Sequence, residues 1–242
     1  MKGIVEFVLV AAIAILLVWG TYWHLLIGKT VEFQLMTAER EILKAINKME
    51  QIKIGLPYAI EYSFDKASYE LGQKGGYNSI PSNVPTKDGL PYWREGNNYY
   101  IPDWLSETAK ATGYYLDEYI KAATGDSIDI KVTIDKANVN VSSKDLLTLK
   151  GTNYKVEIIP NISVRLIPYR FKIYEVAEKY VKDNCGEMVF SDTTDPDSVL
   201  LYYYSDKNEV MVIDQRYNIT IWNSTSNSYE QVHMVLKFKV KC

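Results

Sequence analysis

One stretch constrains this chain more than any other. Ile4 to Ile27 reads IVEFVLVAAIAILLVWGTYWHLLI and holds a single charged residue, Glu6, in 24 positions. A helix needs ~20 apolar residues at ~1.5 Å each to cross a bilayer, so the run is long enough to span one. A secretory signal peptide would carry a shorter apolar core followed by a small-residue cleavage site. Here the run ends instead in Trp19, Tyr22, Trp23 and His24, which read as an interfacial aromatic belt. Lys2 supplies positive charge on the short side and Lys29 some on the other. The balance favours an inside amino terminus, with the bulk of the chain outside.

Glu6 stands out, because a carboxylate inside an apolar run is costly. Two readings are open. It lies one turn in and stays wet at the headgroups, or a positive group of a neighbouring subunit, a terminal amine or Lys2, neutralises it. The stretch Lys2-Gly3-Ile4-Val5-Glu6-Phe7-Val8-Leu9-Val10-Ala11-Ala12-Ile13-Ala14-Ile15-Leu16 resembles the amino-terminal segment of archaeal type IV pilin-like proteins, which carry a class III signal peptide. The likeness covers about the first 50 residues. In that family a short basic leader ending in glycine is clipped, a glutamate follows, and a long apolar helix packs in the core of a surface filament. The resemblance implies an assembly role for Glu6.

From Val31 a heptad seam can be counted at alternating four- and three-residue steps: Val31, Leu35, Ala38, Ile42, Ala45, Met49 and Ile52. Glu39, Arg40, Glu41, Lys44, Lys48 and Glu50 occupy the other faces. No proline lies between Ile4 and Ile54, so either one helix ~75 Å long or a membrane anchor followed by an amphipathic helix fits. Gly55-Leu56-Pro57 is the expected stop. Val31, Leu35, Ile42 and Met49, with Glu6, are the candidate assembly residues.

Beyond Pro57 the pattern changes. Tyr58 to Leu71 has helical spacing and is closed by Gly72 with Gly75-Gly76. Tyr77 to Asp103 holds Pro81, Pro85, Pro91 and Pro102 and is expected to be a long loop, packed because it is rich in aromatics. Trp104 to Ala123 predicts a helix with Asp103 as N-cap and Gly125 past its end. After Gly125 the period becomes two. Strands are expected at Ile128–Ile134, with Val139 and Val141 as a continuation, and at Tyr154–Leu166 with a phase slip near Pro160. Phe171–Val181 predicts a short amphipathic helix. Further strands are expected at Val199–Tyr204, Glu209–Ile213, Tyr217–Trp222 and Gln231–Lys241, the last with Lys237, Lys239 and Lys241 on a wet face. The expected class is α+β: a long N-terminal helix, then helices, then a C-terminal antiparallel β-sheet with helices on its apolar face. The expected parts are residues 1–54, a helical and loop-rich 55–125, and a β-rich 126–242.

A net charge of −3 argues against a nucleic-acid partner. Two cysteines and two histidines leave little for a zinc site or a Cys–His nucleophile. Gly72-Gln-Lys-Gly75-Gly76 lacks the phosphate-loop spacing, and no Gly-x-Ser-x-Gly or His-Glu-x-x-His occurs. Asp192, Asp195 and Asp197 could ligate calcium but are more simply a solvated turn. No enzyme activity, cofactor or metal is expected. Twenty tyrosines point to surfaces of aromatic rings with polar tips, for sugar or subunit contact. Cys185 and Cys242 read as a disulfide in an oxidising location or as two free thiols in a reducing one. Sequons stand at Asn140, Asn161, Asn218 and Asn223, all in the carboxy-terminal half. These features together predict a cell-surface filament subunit, a homo-oligomer assembled through its N-terminal helix and held in the membrane by residues 4–27 beforehand. The alternative is a single-pass anchored ectodomain, a cell-envelope or virion envelope binding protein, with Tyr77–Asp103 as its binding loop.

Overall fold

The structure is a computed structural model; it describes the backbone of residues 2–125, 127–135, 138–150, 155–165, 171–183, 199–223 and 227–242. Side chains are described for all of these except 2–16, 28, 30–36, 38, 149–150, 155–156, 217 and 223. The chain is mixed α+β with an antiparallel-rich sheet. It divides into two compact units, Met1–Gln51 with Leu149–Val156, and Ile52–Thr148 with Glu157–Cys242.

Helix α1 is Lys2–Gln73, and its first fifty residues fall in the first unit. Glu6, Val31, Leu35 and Ala38 have side chains outside the described residues. Of the remaining seam positions there, Ala45 and Met49 are buried, whereas Ile42 is exposed beside Leu43 and Ile46.

In the second unit the apolar spacing continues through Ile52, Leu56, Ala59, Ile60, Phe64, Ala67 and Leu71, all buried. The expected stop at Gly55-Leu56-Pro57 is therefore corrected: α1 runs through Pro57 to Gln73. A proline inside a helix removes one hydrogen bond and costs about 3 kcal/mol. Burying Ile52, Leu56, Ile60 and Phe64 contributes about 1.5–3 kcal/mol each and outweighs that loss. The real terminus is the glycine cluster. Lys74 and Gly76 donate their N–H groups to Leu71 O at 3.0 and 2.7 Å, and Gly75 and Gly76 take positive φ of 69° and 82°.

Residues 77–103 also differ from expectation. They are packed, but they contain β1 (Thr86–Lys87), β2 (Leu90–Glu95) and β3 (Asn98–Tyr99). Trp93 on β2 is fully buried, donates Nε1–H to Gly75 O at 2.9 Å and stacks on Phe238 at 4.1 Å. Proline and glycine around a short strand hid its period from the sequence.

The main sheet has the order β1-β2-β11-β10-β9, with β3 on β2; β9 is Val199–Tyr204, β10 Glu209–Asn223 and β11 Ser228–Lys241. It is not purely antiparallel, because β2 joins β11 in parallel. The two strands expected between Glu209 and Trp222 are one, with the register shifting between Asp214 and Asn218. Val210 opposite Phe238 and Val212 opposite Leu236 form the apolar face. Helix α3 (Lys172–Asp183) lays Ile173, Tyr174, Ala177 and Val181 against it. Trp104 stacks on Tyr174 at 5.1 Å, which brings the start of α2 (Trp104–Thr124) to the same core. As expected, Asp103 caps α2 by accepting the Ser106 N–H, and Gly125 ends it with a left-handed φ of 88°.

A second sheet has the order β4-β5-β8, where β4 is Ile130–Ile134, β5 Asn138–Ser143 and β8 Ile162–Arg165. Val139 and Val141 do not prolong β4. The chain turns back, the Asp135 carboxylate accepting the Asn138 N–H at 2.7 Å, and the two valines are buried on β5. The expected long strand across Pro160 is two strands: β7 (Lys155–Ile158) pairs with β6 (Leu147–Lys150), and β8 pairs with β5. A proline lacks the ladder donor, and Pro160 marks the switch between sheets.

Candidate functional surfaces

The first candidate is the outer surface of α1. Between Leu17 and Ile27 every large apolar side chain faces outward, with Trp19 64% and Trp23 59% exposed. Ile42, Leu43 and Ile46 continue the exposed set in the first unit. In the second unit Ile54 and Tyr58 are 66% and 71% exposed. Gly55 lies between them, where an added Cβ would stand 3.4 Å from the Tyr119 hydroxyl; its lack of a side chain lets that ring come close to the helix. Scattered apolar residues are ordinary on a surface, whereas the stretch from Leu17 to Ile27 exposes eight large apolar side chains in eleven consecutive positions. Of the predicted assembly residues, Ile42 belongs to this surface and Met49 is buried. Among the described residues no helix is long and apolar enough to cross a membrane; the side chains of 4–16, the first half of the predicted span, lie outside them.

The second candidate is a groove of about 260 Å³ between the last turns of α1 and the middle of α2. Its floor is Ala67, Leu71 and Ala111, all buried, and its rim carries Glu70, Lys74 and Asn78. Tyr114 and Tyr115 meet edge to face at 5.3 Å along one side. Helical spacing explains the assembly: Ala67 and Leu71 share one face of α1, with Lys74 in the turn just past its end, and Ala111 with Tyr115 share one face of α2. Lys66 Nζ stands 4.4 Å over the Tyr115 ring. Burial, then the hydrogen bond to Glu70, pushes the Tyr115 phenol above its ordinary pKa. At the mouth, Glu107 accepts the Asn78 N–H at 2.9 Å and pairs with Lys110 at 3.0 Å. Tyr77 donates its hydroxyl to Tyr100 O, and burial followed by the Glu107 charge pushes its pKa up to about 12.

The third feature is a buried cation. Lys239, expected on a wet face, is 1% exposed. The turn between β1 and β2 covers it, so that Nζ donates to Asp88 at 3.0 Å and to Lys207 O at 3.2 Å. Glu209, its cross-strand neighbour, lies 3.9 Å away. The hydrogen bond from Lys239 holds the Asp88 carboxyl below its usual range. Strand alternation predicts which face a residue takes but not what later packs over it.

The sequons are dispersed. Asn218 is exposed on β10, Asn161 is exposed just before β8, and Asn140 is half-buried on the central strand β5, opposite Thr133 and Ser163. The Asn223 side chain lies outside the described residues, as do Cys185 and Asp192, Asp195 and Asp197. Cys242 follows the end of β11 and is not a free thiol. Among the described residues no three His, Cys, Asp or Glu side chains gather into a metal-holding group. Sequence reasoning passed over the groove. Its usable signal was the Tyr114-Tyr115 pair with alanines at 67 and 111, which leave a depression where larger residues would close the helix pair. Comparison with protein-family models, curated proteins and solved structures finds no match to this chain.

Proposed function

We propose that this chain is the structural subunit of an extracellular, pilus-like filament, assembled through its N-terminal helix, with residues 4–27 held in the membrane before assembly. The observation that carries the reading is the outward-facing apolar surface from Leu17 to Ile27 on α1. Water does not tolerate so much contiguous apolar area, and a bundle of identical helices covers it. Ala11, Ala12, Ala14 and Gly20 are small enough to permit close helix approach. On this reading Glu6 is neutralised by a neighbouring chain's positive group, and Cys185 joins Cys242 in an oxidising location. Closing that loop of about 57 residues would stabilise by ~4 kcal/mol in the chain-entropy model. Exposed Asn161 and Asn218 are available to carry glycans.

A second reading, a single-pass anchored ectodomain, draws on Trp19, Tyr22 and Trp23, whose exposed rings suit a membrane interface. Electron microscopy of material sheared from cells, with mass spectrometry of this chain's amino terminus, separates the two. Filaments that contain the chain support the first reading. Recovery only in detergent extracts of membranes, without filaments, overturns it in favour of the second.

A further inference from the structure

The groove between α1 and α2 has a composition that selects a ligand class. Its floor is apolar and shallow because Ala67 and Ala111 stand where longer side chains would fill it. Its two charged lining residues, Glu70 and Lys74, are of opposite sign and 3.9 Å apart, so the lining itself carries no net charge. Its rim provides an acceptor in Glu70, donors in Lys74 and both in Asn78. Tyr114, 63% exposed, adds a ring face that is held edge to face against Tyr115. A ligand that matches must be uncharged, carry hydroxyls that both donate and accept, and present a patch of C–H to a ring and to an alanine floor.

We propose that this groove is a binding site for a neutral saccharide, one or two sugar rings in length. An anionic ligand would gain nothing from the paired Glu70 and Lys74, and a lipid chain would leave the polar rim unsatisfied. The saccharide comes either from the surroundings or from the glycans of another copy of this chain. Neither source depends on the filament reading, because the groove lies wholly within the second unit.

The test uses the full chain in a sugar-free zwitterionic detergent. One arm probes an immobilised array of neutral, sulfated and sialylated oligosaccharides. The other probes glycopeptides released by proteolysis from the chain itself. The expected result is binding to neutral sugars in at least one arm, unchanged up to about 0.5 M salt. Binding should fall at least about tenfold in Tyr114→Ala, which removes the exposed ring, and in Ala111→Leu, which fills the floor. The exposed Tyr114 position keeps the test valid should Ala111→Leu misfold, with the thermal midpoint as the check. The proposal is overturned by binding in neither arm, by capture of anionic sugars alone with loss in salt, or by full binding in Tyr114→Ala. The arm that responds identifies the source.

Discussion

At the residue scale the most informative group is Lys239, buried under a turn whose Asp88 is held below the ordinary carboxylate range by that lysine's hydrogen bond. A carboxyl with a lower pKa folded than unfolded stabilises the fold above the unfolded value, near 3.9, and loses that contribution as pH falls through the folded value. The acid limb of stability against pH, followed by circular dichroism, should therefore be shallower in Asp88→Asn than in the parent; an unchanged limb sinks the assignment. Tyr77 gives the opposite limb. Its pKa is raised to about 12, so the folded chain keeps a proton that the unfolded chain releases near 10. Stability should fall as pH rises from about 10 to 12. Absorbance titration of the folded chain should show a late-ionising component to which Tyr77, Tyr115 and Tyr174 contribute, and Tyr77→Phe should reduce it by its earliest part. Neither effect could be read from the sequence, since both depend on tertiary placement: the Lys239 hydrogen bond for Asp88, and burial followed by the Glu107 charge for Tyr77.

At the element scale the end of α1 is fitted closely to the sheet. A Cβ on Gly72 would stand 2.1 Å from the Val235 carbonyl oxygen, a backbone atom that cannot rotate away. Gly72→Ala should therefore destabilise by about 1–3 kcal/mol, the usual cost of overpacking, read as a lower urea midpoint; an unchanged midpoint refutes the packing. The sequence placed Gly72 with Gly75-Gly76 as the helix terminator; Gly75 and Gly76 end α1, whereas Gly72 lies within its last turn, and its close approach to β11 needed the tertiary structure. Helix α2 was legible at both ends because Asp103 and Gly125 act on backbone groups within four residues. The strand Leu90–Glu95 was not, because its parallel partner β11 lies almost 150 residues away in the chain.

At the scale of the whole molecule the exposed apolar surface of α1 sets the expectation. If identical helices cover it, the Glu6 charge matters to assembly and not to the folding of the second unit. Glu6→Gln chains should then form filaments more slowly or not at all while keeping the parent's near-ultraviolet circular dichroism. Normal filament yield from Glu6→Gln would dismiss charge neutralisation. Parent-like spectra without filaments separate an assembly defect from a folding one.

Local and periodic features were determined by the amino-acid sequence alone: the apolar run, the helix expected at Trp104–Ala123 and observed at Trp104–Thr124, the amphipathic α3, the alternation along β11 and the mixed α+β class. Each depends on residues two to four apart, whose spacing fixes which face meets the core. The tertiary structure decided what distant segments do to one another. It carried α1 through Pro57, because burial of Leu56, Ile60 and Phe64 exceeds one lost hydrogen bond. It drew β2 into the main sheet, buried Lys239 beneath Asp88, and left a groove where Ala67 and Ala111 meet. These outcomes rest on contacts between segments far apart in the chain, and nearest-neighbour patterns contain no record of them.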